Sequence, residues 1–126
     1  MRITNITPIL IVDEIEGSLD FYQGRLGYEK VVEVPDGDRL GFVLLQRDGC
    51  ELMMQTRRSV AADAPSAARE LAEHSVVLYC DVDSLAEAVR ALEGTPVVVA
   101  PRETSYGARE IFVKDPAGFV IGPANS

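Results

Sequence analysis

His74 is the only histidine in the 126-residue chain. It is therefore the only imidazole available for proton transfer near neutral pH or for metal ligation. A second chemically capable group is Glu51, in the run Glu51-Leu-Met-Met-Gln55. Side chains two apart on a strand point the same way, so Glu51, Met53 and Gln55 share a face. If that face meets a ligand, it offers a carboxylate, a soft adaptable thioether and an amide. The plainer reading leaves Met53 in the core and Glu51 in solvent. Tyr106 could stack on a ligand and donate a hydrogen bond, or simply tether its loop. Arg109 could pair with an anionic ligand or with a neighbouring carboxylate. Cys80 has the strand parity of His74, but nothing beside it marks an activated thiolate. The chain has no Gly-rich phosphate loop, serine nucleophile elbow or metal-hydrolase helix motif.

Composition narrows the classes. The length fits one domain with one core. The net charge of −8 and the sequence pI near 4.6 argue against nucleic acid, since the one tight basic pair is Arg57-Arg58. No apolar run approaches the roughly 20 residues that span a bilayer, so a membrane role is not expected. The N-terminus enters a strand pattern without the regions of a signal peptide. Cys50 and Cys80 lack metal-ligand spacing and read as reduced thiols, so a cytoplasmic location is expected.

The elements that must position these residues form a repeat. Residues 3–12 read as a strand buried on both faces, and Ile15, Leu19, Tyr22 and Leu26 recur at helical spacing, giving a helix over 14–26 capped by Gly27. Phe21 and Tyr22 read as helix–sheet packing. Strands follow over 28–34, 40–46 and 51–55, with a turn at 35–38 and an Asp48-Gly49 hairpin of the type I′ kind. Residues 57–73 break the pattern and read as a mobile connection, with Ser66 capping a short helix through Glu73. Then come a strand at 74–80, a helical face of Val82, Leu85, Val89 and Leu92 capped by Gly94, and strands at 96–100, 108–114 and 119–122. Thr7 and His74, Glu14 and Asp81, Ile15 and Val82, and Gly27 and Gly94 all stand 67 apart. The expectation is a single α+β domain of two βαβββ modules: module one 1–56, connection 57–73, module two 74–126.

This repeat, with Leu19-Asp-Phe-Tyr22, Leu26-Gly27-Tyr28 and Asp115-Pro-Ala-Gly118, resembles the vicinal oxygen chelate superfamily. That superfamily includes glyoxalase I, extradiol dioxygenases and bleomycin-resistance proteins. The resemblance implies a curled mixed sheet around a cleft, often completed by a homodimer. In metal-dependent relatives, ligands come from the first and last strands of each module. Here those positions are taken as Thr7, Glu51, His74 and Gly122. Gly122 has no donor and Thr7 only a neutral hydroxyl, so no metal and no cofactor is expected. The reading is a protein that binds a small, aromatic or cationic organic molecule in its cleft. The candidate ligand-binding residues are Thr7, Glu51, Met53, Gln55, His74, Tyr106, Arg109 and Gly122. Two alternatives stand beside it: a metal-dependent glyoxalase- or dioxygenase-like enzyme with an altered site, and a metal-free isomerase or lyase using His74 and Glu51 as an acid–base pair.

Overall fold

The structure is a computed structural model that describes residues 1–2, 4–71, 76–104 and 107–125. The chain divides into two compact units, Met1–His74 and Ser75–Ser126. Each is a four-stranded mixed sheet with helix, and together they repeat βαβββ twice. Among the described residues, no helix is long and apolar enough to cross a membrane.

In the first unit β1 (Ile9–Val12) leads into α1 (Glu16–Leu19), which widens into a π-helical segment, Asp20–Arg25. The wider turn shows in the Leu26 N–H donating to the Phe21 carbonyl, five residues back, at 3.2 Å. Gly27 then takes φ +69°, the left-handed stop expected at that position. The Arg47 guanidinium donates to the Leu26 carbonyl, satisfying a helix-end acceptor. β2 (Glu29–Asp36), β3 (Arg39–Arg47) and β4 (Cys50–Thr56) complete the sheet in the order β1-β4-β3-β2, with β1 parallel to β4. The β3–β4 turn has Asp48 at φ 51° and Gly49 at φ 78°. Two consecutive positive φ values are what a type I′ hairpin requires.

Alternation sorts this sheet into two faces. Leu10 and Val12, Val43 and Leu45, and Leu52, Met54 and Thr56 are buried. Ile15, Phe21 and Tyr22 from the helical segment and Val60 join them in the buried set. Phe21 and Tyr22 pack edge-to-face at 5.0 Å, so the expectation that they serve packing holds. Strand β1 is shorter than expected and buried on one face only, because Ile9 is 49% exposed. Within the expected connection, residues 57–70 are largely helical. Thr56 accepts from the Ser59 N–H at 3.1 Å and starts α2 (Arg57–Asp63), after which Pro65 opens α3 (Pro65–Glu70). A strand-ending threonine becoming an N-cap was the signal that sequence reading passed over.

The second unit repeats the plan. β5 (Val77–Asp81), α4 (Leu85–Ala91), β6 (Val97–Glu103), β7 (Arg109–Lys114) and β8 (Val120–Asn125) give the sheet order β5-β8-β7-β6. Val82 lies outside the helix, its N–H and carbonyl held by the Ala124 carbonyl and the Asn125 amide, each at 2.8 Å. Ser84 then caps α4, accepting from the Glu87 N–H at 3.3 Å. Asp115 closes the β7–β8 turn: its Oδ1 accepts from the Ala117 and Phe119 N–H groups at 3.0 and 2.8 Å.

Two predictions follow from these ties. Asp115 is 4% exposed, so Asp115→Ala strips a buried turn of its acceptor and should cost about 1–3 kcal/mol in urea denaturation; an unchanged midpoint would exclude that role. Glu16 accepts the Leu40 N–H at 2.8 Å. This bond, with that of its own backbone N–H, holds its carboxyl below the ordinary carboxylate value. The native state therefore binds the proton less readily than the unfolded chain, and the stabilisation is lost as pH falls through the carboxylate range. Wild type should lose more stability than Glu16→Gln between about pH 6 and pH 3. The exposed setting keeps the difference under about 1 kcal/mol. Parallel pH–stability curves for the two proteins would refute it.

Candidate functional site

The face of the first sheet opposite its buried residues carries three rows set by register. Ile9, Met53, Leu44 and Val32 form one row, and Ile11, Gln55, Phe42 and Val34 the next. A polar row of Glu51, Gln46 and Glu29 follows. Glu51, Met53 and Gln55 therefore do share one face, and all three are half-buried. Gln55 is anchored by its amide donating to the Ser59 hydroxyl at 3.0 Å. The Glu51 carboxylate has no hydrogen-bond partner among the described residues, while Ile9, Val32 and Val34 remain 42–49% exposed. Thr7 lies just before β1, its Oγ1 accepting from the Asn5 amide at 3.0 Å.

The open face of the second sheet is built around a glycine. Gly122 is paired across to Tyr79, and a Cβ at Gly122 would stand 2.7 Å from the Phe112 ring. The ring thus lies directly over the glycine backbone. Tyr79 meets Phe112 edge-to-face at 6.2 Å. The Tyr79 hydroxyl donates to Glu110 Oε1 at 3.0 Å. Arg102 donates from Nε and Nη2 to Glu110 Oε2 at 3.1 and 2.9 Å. Glu110 is only 1% exposed, and a buried carboxylate is tolerable where such partners satisfy it. Sequence reading missed Glu110, Arg102, Tyr79 and Phe112. The available signal was the phase of Arg109-Glu-Ile-Phe-Val113, which sets Glu110 with Phe112 and away from Ile111 and Val113.

The other sequence candidates fall as follows. Arg109 pairs with Asn125 and Glu110 with Ala124, so Arg109 has the opposite strand phase from Gly122 and is not brought to that face. It borders a shallow groove with Leu85, Pro101, Arg102 and Glu103. Cys80 pairs with Pro123, again out of phase with Gly122. Cys50 and Cys80 are both free. His74 and Tyr106 lie outside the described residues. The hairpins ahead of Glu51 and Gly122 each contain a positive-φ glycine, Gly49 and Gly118, but differ in length, with Arg47 paired to Cys50 in one and Lys114 to Val120 in the other.

The chain belongs to the glyoxalase/bleomycin resistance protein/dioxygenase superfamily, whose profile matches residues 2–122. No curated protein matches it in sequence. Among solved structures, TioX from Micromonospora sp. ML1 is similar with a TM-score of 0.79 at 13% identity, covering 97% of this chain and 98% of that one. A lactoylglutathione lyase from Agrobacterium tumefaciens is similar at 0.74 and 22% identity, covering 99% and 96%. A glyoxalase/bleomycin resistance protein/dioxygenase from Nocardioides is similar at 0.74 and 19%, covering 99% and 85%. At these identities the likeness is one of fold.

Some proteins of this fold hold a divalent metal, and the described residues do not fit one. The Gly122 position is covered by the Phe112 ring, Met53 offers a weak thioether, and the Thr7 hydroxyl is neutral. Glu51 is then the one carboxylate among the described members of the expected set, and a single carboxylate does not hold a transition metal. Because a Cβ at 122 meets the ring, Gly122→Ala should destabilise the protein by about 1–3 kcal/mol. Phe112→Leu in the same chain should recover part of that loss. Equal denaturation midpoints for Gly122→Ala and wild type would show that the ring yields freely.

Proposed function

We propose that this protein binds a small organic molecule with an apolar or aromatic body against the open face of its first sheet, without a metal. The observation that carries the reading is the pair of apolar rows through Met53 and Phe42, bounded by the Glu51 carboxylate, which has no hydrogen-bond partner among the described residues. Burying such a body gains roughly 25 cal/mol per Å² of apolar surface removed from water. Met53 is unbranched and soft, so it conforms to a ligand of irregular outline. Glu51 supplies countercharge for a cationic substituent, and its half-buried setting makes that contact stronger than an exposed ion pair. A second copy of the chain would cover the exposed ends of the rows at Val32 and Val34.

Calorimetric titration tests this. An aromatic cation such as 2-naphthylmethylammonium should bind wild type. Leu44→Lys or Met53→Lys should weaken it by at least about tenfold, and Glu51→Gln should lower the preference for the cation over its neutral isostere. Absence of binding across aromatic cations and neutral aromatics would remove the reading. Protein purified without chelators should carry sub-stoichiometric metal and show no thermal shift on addition of nickel, zinc, iron or manganese. One tightly held equivalent would overturn the metal-free part. Light scattering at micromolar concentration should give twice the monomer mass; a monomer would dismiss the second copy.

A further inference from the structure

The open face of the second sheet carries a set of groups that the reading of the first sheet does not use. We propose that Tyr79, Phe112 and Arg102 form a recognition site for an aromatic ring bearing a carboxylate, with Glu110 as the residue that positions the guanidinium.

The argument starts from Glu110. A carboxylate 1% exposed on an apolar strand phase is costly to bury. Here it is satisfied by Tyr79 on β5 and Arg102 on β6, at distances of 2.9–3.1 Å. The β6–β7 pairing slips between Val99 and Arg102, and this irregularity sets Arg102 directly across from Glu110. Bulges of this kind re-aim side chains. The Arg102 side chain remains 55% exposed although two of its nitrogens are engaged. A guanidinium has five N–H donors in a rigid fork. With the Nε and Nη2 nitrogens turned toward Glu110, the edge carrying Nη1 is left to donate, and Nη1 has no partner among the described residues. Such an edge matches the two oxygens of a carboxylate.

Beside it stand two rings. Phe112 is seated on Gly122, and Tyr79, 47% exposed, stands edge-to-face against it. These offer an aromatic floor on which a ligand ring stacks. Glu110 offsets part of the guanidinium charge but fixes its plane, so the orienting entropy is lost on folding rather than on binding. The protein's net charge of −8 opposes an anion only at long range. That field is screened over about 10 Å at 0.1 M salt, whereas direct charge-assisted hydrogen bonds are not.

The test uses three probes on the full chain: 2-naphthoate, its neutral isostere 2-naphthamide, and 2-naphthylmethylammonium. Wild type should bind 2-naphthoate at least about tenfold more tightly than 2-naphthamide. The amide-resonance shifts caused by naphthoate should cluster at Tyr79, Arg102 and Phe112 in a proton–nitrogen correlation spectrum. Arg102→Gln should bring the naphthoate-to-naphthamide ratio to about one, and Arg102→Lys should keep part of it, since the charge stays while the fork is lost. Glu110→Gln should lower the ratio, because the guanidinium is then no longer held in one plane. If Arg102→Gln does not fold by circular dichroism, the wild-type ratio and shift map decide. Equal affinity for naphthoate and naphthamide, or shifts confined to the first sheet, overturns this site while leaving the first-sheet reading in place. Failure of all three probes to bind overturns both.

Discussion

The contact of the Phe112 ring with the bare backbone at Gly122 sets the character of the second sheet's open face. Only glycine allows it, because any Cβ there would stand 2.7 Å from a ring carbon. With the ring seated, Tyr79 has an edge-to-face neighbour, and its hydroxyl reaches Glu110 at 3.0 Å. Glu110 in turn fixes Arg102. Remove the glycine and each later member of the chain loses its reference. The position that would carry a metal-ligating side chain in relatives of this fold has become the seat of an aromatic cluster. The change is one of packing as well as of donor chemistry, so a single substitution to glutamate would meet the ring before it met a metal.

The repeat was legible in sequence because its markers are local and few. An acidic residue ending a strand, a periodic helix and a positive-φ glycine after it need no tertiary context to recognise, and they recur with one offset through Gly27 and Gly94. The hairpin at Asp48 and Gly49 is equally local. What was not legible depended on partners distant in the chain. Strand β1 reads as buried on both sides because Ile9 and Ile11 are as apolar as Leu10 and Val12, but only Leu10 and Val12 are buried and Ile9 is exposed. The segment after Thr56 reads as a mobile connection with one short helix from Ser66, because Ala, Arg and Ser lack a strong period; Ser66 instead lies inside a helix that starts at Pro65. Its helices start from a threonine cap and a proline rather than from an apolar stripe.

The candidate site divides along the same line. That Glu51, Met53 and Gln55 share a face follows from alternation alone, and the register bears it out. Their neighbours Phe42, Leu44 and Ile9 come from pairing, which the sequence carries only implicitly. Arg109 was drawn in by its charge, yet strand phase turns it from Gly122. Glu110, one residue on, looks like a solvated acid in any linear reading. Its burial depends on Tyr79, 31 positions earlier. A charged residue in the phase of apolar neighbours is the sign to look for, since burial without a partner would be too costly to persist.

The two faces differ in the groups they present. The first offers an apolar bed ending in a carboxylate at Glu51, and the second offers two rings ending in a guanidinium at Arg102. A shared βαβββ plan does not impose this difference. It arises from what each last strand places on its face, Met53 on β4 in one unit and Gly122 on β8 in the other. The thioether fills its face with flexible apolar surface. A glycine opens its face to a neighbouring ring and, through that ring, to a fixed polar network. One fold thereby presents two chemistries, and the superfamily alone specifies neither. The discriminating quantity is the sign of the preferred charge on an otherwise constant aromatic ligand, read separately at each sheet.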